Sequence, residues 1–495
     1  MPRRVVATDF FGYFRPSECE LRVWLRAAGV EESPPGPFAK LLMRLGQEHE
    51  ERHLKAFPVH LDLGGGSIAE RALSTREAVA RGEPVIYQGA LRAQTQLGGE
   101  QVEVVGVPDF LILTPFGYAI RDSKLARRIS RGHPEIELQL ELYGWLYEQT
   151  FRERPVSLQV HNGVDEIAVI PYQGGGPALA MLERIIGLRT RADPPPLAVG
   201  WSKCSGCGYF GRCWPEAEKA RDVGLLPGVD LGLASELRGM GAGTIQSLRT
   251  RFDVSRLAGI ERPWGRKRMK VGEVVSRRVL AGAQAFDEGR PVILSEPAIA
   301  QSPNYVMFDL EGMPPQLDEL EKVYLWGLQV FGERTGPFRG ALAEAGPKGD
   351  AHGWEAFLRE SESLLGHHGE IPFVHWGSYE RSKLDLYIDR HGDPEGTAER
   401  VKANLLDLLP ITQEAVALPL PSYSLKLVEG VVGFERTLDE YGGDWSMARY
   451  IEATETSDEG LREQIIEEIL AYNREDLEAT WAVLCWLRSL PGRCE

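Results

Sequence analysis

The residues that decide the fold of the N-terminal half read VPDF at 107–110 and YAIRDSK at 118–124. Their apolar positions predict two strands joined as a hairpin. Asp122 and Lys124 are two residues apart on the second strand, so both side chains project from the same face of the sheet. The hairpin can bring Asp109 beside them. Two carboxylates that hold Mg²⁺ or Mn²⁺, with a lysine that offsets developing charge, suit hydrolysis of a phosphodiester.

This pattern of two aspartates and a lysine is short and also arises by chance, so its neighbours matter. GQEHE at 46–50 lies on a helix that we predict over 38–53, and QLELY at 139–143 lies on a helix that we predict over 135–151. Ordered in this way along the chain, the motifs resemble those of the RecB branch of the PD-(D/E)XK nuclease superfamily.

The resemblance to the RecB branch implies a restriction-endonuclease-like α/β domain over residues 1–222. It also implies roles for six side chains: metal ligands His49, Asp109 and Asp122, a catalytic Lys124, and DNA contacts Gln139 and Tyr143. From the residues alone, a helix histidine without function and two ordinary helix-face side chains are the alternatives.

Four cysteines enclose this region, since Cys19 precedes it and CSGC at 204–207 is followed by Cys213. A long chain without a secretory signal argues against a disulfide framework, and four thiolates can bind zinc or an iron–sulfur cluster. One cysteine before the core and three after it resemble the iron–sulfur staple of AddB-type helicase–nucleases and of CRISPR-associated RecB-like exonucleases. The resemblance implies a [4Fe–4S] cluster, with Zn²⁺ as the alternative, on Cys19, Cys204, Cys207 and Cys213. Two further cysteines lack this spacing and are interpreted as a helix residue and a tail residue: Cys485 and Cys494.

A second acidic pattern occupies the C-terminal half. VMFDLEG at 306–312 ends a predicted strand with Asp309 and Glu311 two residues apart, on one face. Tyr472 and Asp476 lie one helical turn apart near the C-terminus. Acids from such distant segments can bind two metal ions about 4 Å apart, with a tyrosine orienting the attacking water.

In their order, these segments resemble DEDDy exonucleases of the ribonuclease H-like fold, particularly the YprB-like branch, as does PSYSLKLV at 421–428 with Gly433-Phe434. The resemblance implies metal ligands Asp309, Glu311 and Asp476 and further catalytic residues Glu380 and Tyr472. Glu380 stands where such exonucleases have aspartate, and one extra methylene can disturb a tight two-metal geometry. Asp407 is a rival for a supporting role. A degenerate domain that binds nucleic acid without cleaving it is the alternative.

Charge is distributed unevenly along the chain. The 495 residues carry a net charge of −16, which by itself argues against a nucleic-acid partner. Between Arg238 and Arg278, however, the sequence contains eleven lysines and arginines and only three acidic residues. This basic segment predicts a phosphate contact, with a solvated charged linker as the alternative. The eleven basic residues are Arg238, Arg249, Arg251, Arg256, Arg262, Arg266, Lys267, Arg268, Lys270, Arg277 and Arg278.

Three regions are predicted from length and pattern. Residues 1–222 form the RecB-like domain, 223–290 a small helical connector, and 291–495 the ribonuclease H-like domain, with α/β architecture in both large regions. The connector contains LRGMGAGTIQSL at 237–248, which resembles a helix–hairpin–helix element that offers backbone N–H groups to a phosphate. A glycine turn with no such function is the alternative.

Together these patterns favour a Mg²⁺- or Mn²⁺-dependent deoxyribonuclease, acting on single-stranded DNA or DNA ends in repair, recombination or defence. The alternatives are a nucleic-acid-binding scaffold with one or both sites inactive, and an RNA-processing nuclease. No G-x-x-x-x-G-K-[ST] occurs, so any helicase partner is a separate protein. We find no apolar run of membrane-spanning length and no secretory h-region, so we expect a cytoplasmic protein without a membrane partner.

Overall fold

The computed structural model describes residues 3–126, 129, 133–264, 267–314, 321–344, 346–438 and 442–490. Of the residues singled out above, Arg266 and Cys494 lie outside these ranges. The chain divides into two compact units, the first comprising Met1–Leu197 with Gly206–Phe210 and the second comprising Ala198–Ser205 with Gly211–Glu495.

The first unit combines six helices with nine strands among its described residues. The helices are α1 (Thr8–Phe14), α2 (Glu20–Ala27), α3 (Pro37–Lys55), α4 (Ile68–Arg81), α5 (Pro134–Phe151) and α6 (Gly176–Arg189). The strands are β1 (Arg3–Val6), β2 (Leu61–Asp62), β3 (Val85–Tyr87), β4 (Leu91–Leu97), β5 (Glu100–Gly106), β6 (Phe110–Thr114), β7 (Gly117–Ser123), β8 (Leu158–His161) and β9 (Ile167–Ile170).

These strands form two sheets. One has the order β1-β5-β4, and the other has the order β2-β3-β6-β7-β8-β9. The predicted hairpin is β6–β7, in which Phe110 pairs with Arg121 and Thr114 with Gly117. This register sets Asp109, one residue before β6, across from Asp122.

The second unit begins with a helical part that includes the predicted connector. Its helices are α7 (Trp201–Cys204), α8 (Phe210–Ala220), α9 (Leu231–Gly239), α10 (Ile245–Arg251), α11 (Val254–Ala258) and α12 (Glu273–Glu288). A two-stranded ribbon interrupts them, formed by β10 (Glu261–Trp264) and β11 (Lys267–Lys270). Apolar side chains of α9 to α12, including Leu233, Leu248 and Val279, form a core of their own.

The remainder of the second unit is built on a five-stranded sheet of order β15-β14-β13-β16-β17. The strands of this part are β12 (Val292–Ile293), β13 (Asn304–Met313), β14 (Lys322–Gly332), β15 (Arg339–Leu342), β16 (Phe373–His375), β17 (Leu405–Asp407) and β18 (Val416–Ala417). Its helices are α13 (Gly346–His368), α14 (Tyr379–His391), α15 (Thr397–Ala403), α16 (Leu408–Ala415), α17 (Leu425–Val432), α18 (Gly443–Glu455) and α19 (Glu459–Ser489). β13 is antiparallel to β14 and parallel to β16.

The structure confirms the α/β class and the helices predicted over 38–53 and 135–151, which are α3 and α5. The apolar pattern of residues 85–91 predicts one continuous strand. That prediction is wrong, because the chain breaks after Tyr87 and resumes at Leu91 in the other sheet. Gln88, within the break, has a φ of 55°, which is incompatible with a continuous strand. No helix in the described ranges combines the length and the apolar character needed to cross a bilayer.

Candidate functional sites

The first candidate site lies at the start of β6 and the end of β7. The backbone N–H of Asp109 donates to Asp122 Oδ1 at 3.1 Å, and the backbone N–H of Ser123 donates to Asp109 Oδ2 at 2.7 Å. Lys124 Nζ lies 2.6 Å from Asp122 Oδ2. The structure therefore brings together the two aspartates and the lysine that the sequence singled out, with both carboxylates buried.

Burial sets the electrostatics of this site. It raises the pKa of Asp109 well above its usual range, with the charge of Asp122 adding to the rise and Lys124 opposing it. For Lys124, burial acts to lower the pKa, but the carboxylates of Asp122 and Asp109 outweigh it and the pKa is raised. The lysine thus holds its proton and acts as a positive charge beside the carboxylates.

Three side chains that the sequence did not assign complete the surroundings of Asp109. Gln88 Nε2 donates to Asp109 Oδ1 at 3.2 Å and to Glu50 Oε1 at 2.7 Å. The Tyr87 hydroxyl also donates to Glu50 Oε1, at 2.8 Å. The Glu50 carboxylate is therefore connected to Asp109 through the side-chain amide of Gln88.

His49 has different neighbours from those that the resemblance implied. Its ring stacks on that of His161, with centroids 4.5 Å apart and planes 1° apart. His161 Nε2 lies 3.0 Å from a carboxylate oxygen of Asp165. Ligand atoms of these three residues lie within 4.8 Å of one another, whereas no metal-capable group of the described residues joins His49 to Asp109 or Asp122.

Gln139 and Tyr143 lie on α5 beside the first site. Gln139 Nε2 donates to the Tyr143 hydroxyl at 2.7 Å, and that hydroxyl donates to the carbonyl of Val107 at 3.1 Å. A Cβ atom on Gly106 would lie 2.6 Å from the Tyr143 ring, so glycine is required for this approach. Both predicted DNA contacts are consequently tied to the strand end that leads into Asp109.

The four predicted cluster cysteines are divided between the two compact units, Cys19 and Cys207 belonging to the first and Cys204 and Cys213 to the second. Cys19 caps α2, where its sulfur accepts the N–H of Arg22 at 3.4 Å. Burial raises the pKa of the Cys19 thiol, and the nearby Cys207 adds to the rise. Neither metal-capable group found among the described residues contains a cysteine, so the iron–sulfur cluster is not shown.

The second candidate site joins β13 to α19. Asp309 and Glu311 project from β13, and Asp476 projects from α19; their carboxylate oxygens lie within 4.8 Å of one another. Burial and the charge of Asp476 raise the pKa of Glu311 to about 8. Burial also raises the pKa of Asp309 well above its usual range, with Asp476 and Glu311 adding to the effect. Three acids this close, with Glu311 and Asp476 buried and Asp309 half-buried, repel one another unless a cation or a proton intervenes.

The close approach at this site depends on two glycines. Gly327 faces Asp309 across the β13–β14 pair, and a Cβ there would lie 1.8 Å from Asn473 Oδ1. Its absence lets Asn473 Nδ2 donate to Asp309 Oδ2 at 2.7 Å. Gly312 lies at a register shift after Glu311, and its missing side chain leaves space for the Tyr379 hydroxyl.

Two basic residues from the segment around α17 lie near Asp476, and Arg436 contacts it. The Arg436 guanidinium bonds to Asp476 and also makes two hydrogen bonds to the Glu429 carboxylate, at 2.7 and 2.8 Å. The ammonium group of Lys426 lies 5.0 Å from the centroid of the Tyr472 ring. The pKa of Tyr472 is raised, first by burial and then by the charge of Asp476.

Glu380 lies apart from the three-carboxylate group. His375 Nδ1 is 3.0 Å from Glu380 Oε2, and both side chains are buried. Burial raises the pKa of Glu380 while His375 opposes the rise. Asp407 caps α16 and accepts N–H groups of Gly377 and Leu409 at 2.8 and 3.0 Å, which gives it a structural role.

A cavity of about 430 Å³ adjoins Glu311. Tyr379, Lys383, Met313 and Met447 contribute to its wall. Its volume lies within the range of small-molecule sites, and it combines apolar surface with a buried carboxylate.

In the connector, the predicted glycine turn lies between α9 and α10. Gly241 has a φ of 72°, and Thr244 and Ser247 cap α10 reciprocally. The short helix therefore has its first N–H groups engaged by its own side chains. The basic residues of the predicted segment are partly paired as well, since Arg249 contacts Asp287 and Arg268 contacts Glu236.

Comparison with known proteins identifies the C-terminal region. Residues 306–488 match the family model of the RNase_H superfamily. This region is ribonuclease H-like, which indicates nuclease-type, metal-dependent phosphodiester hydrolysis. The chain is also similar to SSO0001, a protein of solved structure, at 15% identity over 43% of this chain and 86% of that one, with a TM-score of 0.22. A comparison with curated proteins gives no match.

Proposed function

We propose that the chain is a Mg²⁺- or Mn²⁺-dependent nuclease that hydrolyses DNA, single-stranded or at ends, in repair, recombination or defence. The observation that carries the proposal is the convergence of Asp309, Glu311 and Asp476 within a region that matches the RNase_H superfamily. Carboxylate oxygens are the ligands that Mg²⁺ and Mn²⁺ prefer, so the donor set fits these ions.

At the second site, these three carboxylates would hold the ions, which polarise the phosphate and lower the pKa of a bound water. Asn473 holds Asp309 in place through its amide. Tyr472, whose raised pKa keeps its hydroxyl protonated, would orient the water as a hydrogen-bonding group. Glu380 would act through the field that it exerts on Asp309, because His375 already engages its carboxylate.

For the first site, we propose a PD-(D/E)XK domain over residues 1–222, followed by the connector over 223–290 and the ribonuclease H-like domain over 291–495. Asp109 and Asp122 would hold a divalent ion and Lys124 would offset charge on the phosphate. Gln139 and Tyr143 would contact the DNA strand. The contacts among Asp109, Asp122 and Lys124 support this assignment.

His49 is proposed as the nitrogen ligand of the first site, as the resemblance to the RecB branch implies. In the structure its ring stacks on that of His161. A [4Fe–4S] cluster on Cys19, Cys204, Cys207 and Cys213 is likewise proposed, supported by their spacing and by the proximity of Cys207 to Cys19. Iron and sulfide analysis of anaerobically purified protein tests the cluster, and stoichiometric zinc without iron would contradict it.

The decisive experiment measures cleavage of labelled single-stranded DNA, duplex DNA and RNA in the presence of Mg²⁺ or Mn²⁺. We expect Asp122→Asn to remove one activity and Asp309→Asn the other, because each loses a ligand charge without losing volume. Asp193→Asn and Asp385→Asn, at exposed aspartates, are the matched controls. Full cleavage by the Asp122/Asp309 double variant would refute the proposal.

A second candidate function is a nucleic-acid-binding scaffold whose ribonuclease H-like site is inactive. Two observations favour it: Asp476 already forms an ion pair with Arg436, and Glu380 is paired with His375. Binding of DNA without metal-stimulated turnover would support this reading. Preference for RNA in the same assay would instead indicate an RNA-processing nuclease. A separate helicase partner is proposed for duplex substrates.

A further inference from the structure

The β10–β11 ribbon of the connector exposes large apolar side chains among cations. In its register Arg262 pairs with Met269 and Trp264 with Lys267. Trp264 is 52% exposed and Met269 is 49% exposed. Two such side chains on a two-stranded element only four residues long per strand form an apolar patch rimmed by charge, which is a common feature of interaction sites.

The Trp264 indole is held in place from one side. Asp230 caps α9 by accepting the N–H of Leu233 at 2.9 Å, and its carboxylate also forms an ion pair with Arg262. The Arg262 guanidinium in turn lies over the Trp264 ring, 4.7 Å from its centroid. This chain of contacts anchors the indole to a helix N-terminus, yet half of the side chain stays exposed.

One lysine of the ribbon is free to bind an anion beside the indole. Lys267 lies directly across from Trp264 and projects from the same face, whereas Lys270 pairs with Glu261 on the opposite face. Within the ranges that the structure describes, Lys267 has no carboxylate within 4 Å, whereas Arg268 is bound to Glu236 at 2.8 Å. In a chain of net charge −16, an unpaired cation beside an open aromatic face selects a polyanion that carries planar rings.

We propose that the β10–β11 ribbon is a binding site for single-stranded nucleic acid. A base stacks on the open face of Trp264, and a backbone phosphate contacts Lys267. The strand must be single because duplex bases already stack on their neighbours and present no free face to the indole. This inference rests on the proposed function. It adds that the connector binds the nucleic acid in single-stranded form.

The test is fluorescence anisotropy with a labelled oligothymidylate of about 16 nucleotides, in EDTA so that no cleavage occurs. Stacking on an aromatic side chain predicts that Trp264→Ala weakens binding about 5- to 150-fold, and that Trp264→Phe restores part of the loss. Phe116→Ala, at another exposed aromatic on a hairpin, is the matched control and should bind as the wild type does. Lys267→Gln should reduce the slope of log affinity against log salt by about 0.7, whereas Lys270→Gln, on the opposite face of the ribbon, should leave the slope unchanged.

The results separate this inference from the proposed function. Weaker binding by Trp264→Ala in a protein that never cleaves DNA supports the ribbon and refutes the nuclease. Unchanged binding by Trp264→Ala in a protein that does cleave DNA overturns the ribbon alone. Equal loss of affinity for a relaxed closed-circular duplex, which has neither unpaired bases nor ends, would also overturn it, because stacking on Trp264 would then not be the recognition step.

Discussion

Glu311 should make the stability of the metal-free protein fall as the pH rises. Burial and the charge of Asp476 raise its pKa to about 8, against 4.5 for an ordinary glutamate. The folded protein therefore binds a proton on this residue over a pH range in which the unfolded chain has already lost it. The perturbation is a change from about pH 6 to about pH 8 in EDTA.

The sign and size follow from proton linkage. A raised pKa contributes stability that is fully present below pH 4.5 and is lost as the pH rises through about 8. Over most of that window the folded state holds about one more proton, so the free energy of unfolding falls by about 1.4 kcal/mol per pH unit. Between about pH 6 and about pH 8, Glu311 lowers the free energy of unfolding by about 2 kcal/mol. The decrease becomes less steep near pH 8 because Glu311 then loses its proton in the folded state as well.

The assay is urea denaturation at both pH values, for the wild type and for Glu311→Gln. Glutamine keeps the volume and cannot titrate, so the pH-dependent loss should shrink by about 2 kcal/mol in the variant. Glu362→Gln, at an exposed glutamate of α13, is the control and should follow the wild type. Mg²⁺ should reverse the trend, because bound cation favours the ionised carboxylate. The reasoning is refuted if Glu311→Gln and the wild type lose stability equally.

Three other predictions concern positioning and ligation. Gly327→Ala should destabilise the protein by about 1–3 kcal/mol and impair cleavage at the second site, because its Cβ would meet Asn473 Oδ1; Gly366→Ala, at an open helical position, is the control. His49→Asn should weaken Mn²⁺-dependent cleavage by the first site about tenfold or more while Asp165→Asn leaves it intact; equal losses would assign His49 to the group with His161 and Asp165. Gly106→Ala should cost about 1–3 kcal/mol in urea denaturation, since its Cβ would meet the Tyr143 ring, and a neutral effect would contradict that packing.

Local periodicity was sufficient to predict the carboxylate-bearing strands. Asp122 and Lys124 alternate on β7, and Asp309 and Glu311 alternate on β13, so their shared faces follow from the two-residue repeat of a strand. Asn473 could have been found as well, because it lies three residues before Asp476 and so shares its helix face.

Other site residues could not be predicted in this way. Gln88 reaches Asp109 because the backbone breaks at a positive φ, within a run whose composition favours a continuous strand. Arg436 reaches Asp476 across 40 residues of chain, and Glu429 is connected to Asp476 only through Arg436. Such contacts are set by tertiary packing, to which neither helical nor strand periodicity is sensitive.

The two sites differ in the ion pair that a metal ion would have to displace, which is Lys124–Asp122 at the first site and Arg436–Asp476 at the second. Among the described residues, Lys124 has one carboxylate within 4 Å, that of Asp122, so it would be left unpaired if an ion took that oxygen. Arg436 is bound to Asp476 but keeps two hydrogen bonds to Glu429. Because an unpaired buried charge is costly, an incoming ion can replace Arg436 at Asp476 more readily than it can replace Lys124 at Asp122. Lys124 would therefore have to share Asp122 with an ion, whereas Arg436 could withdraw from Asp476, so only the second site would change its ion pairs on binding metal.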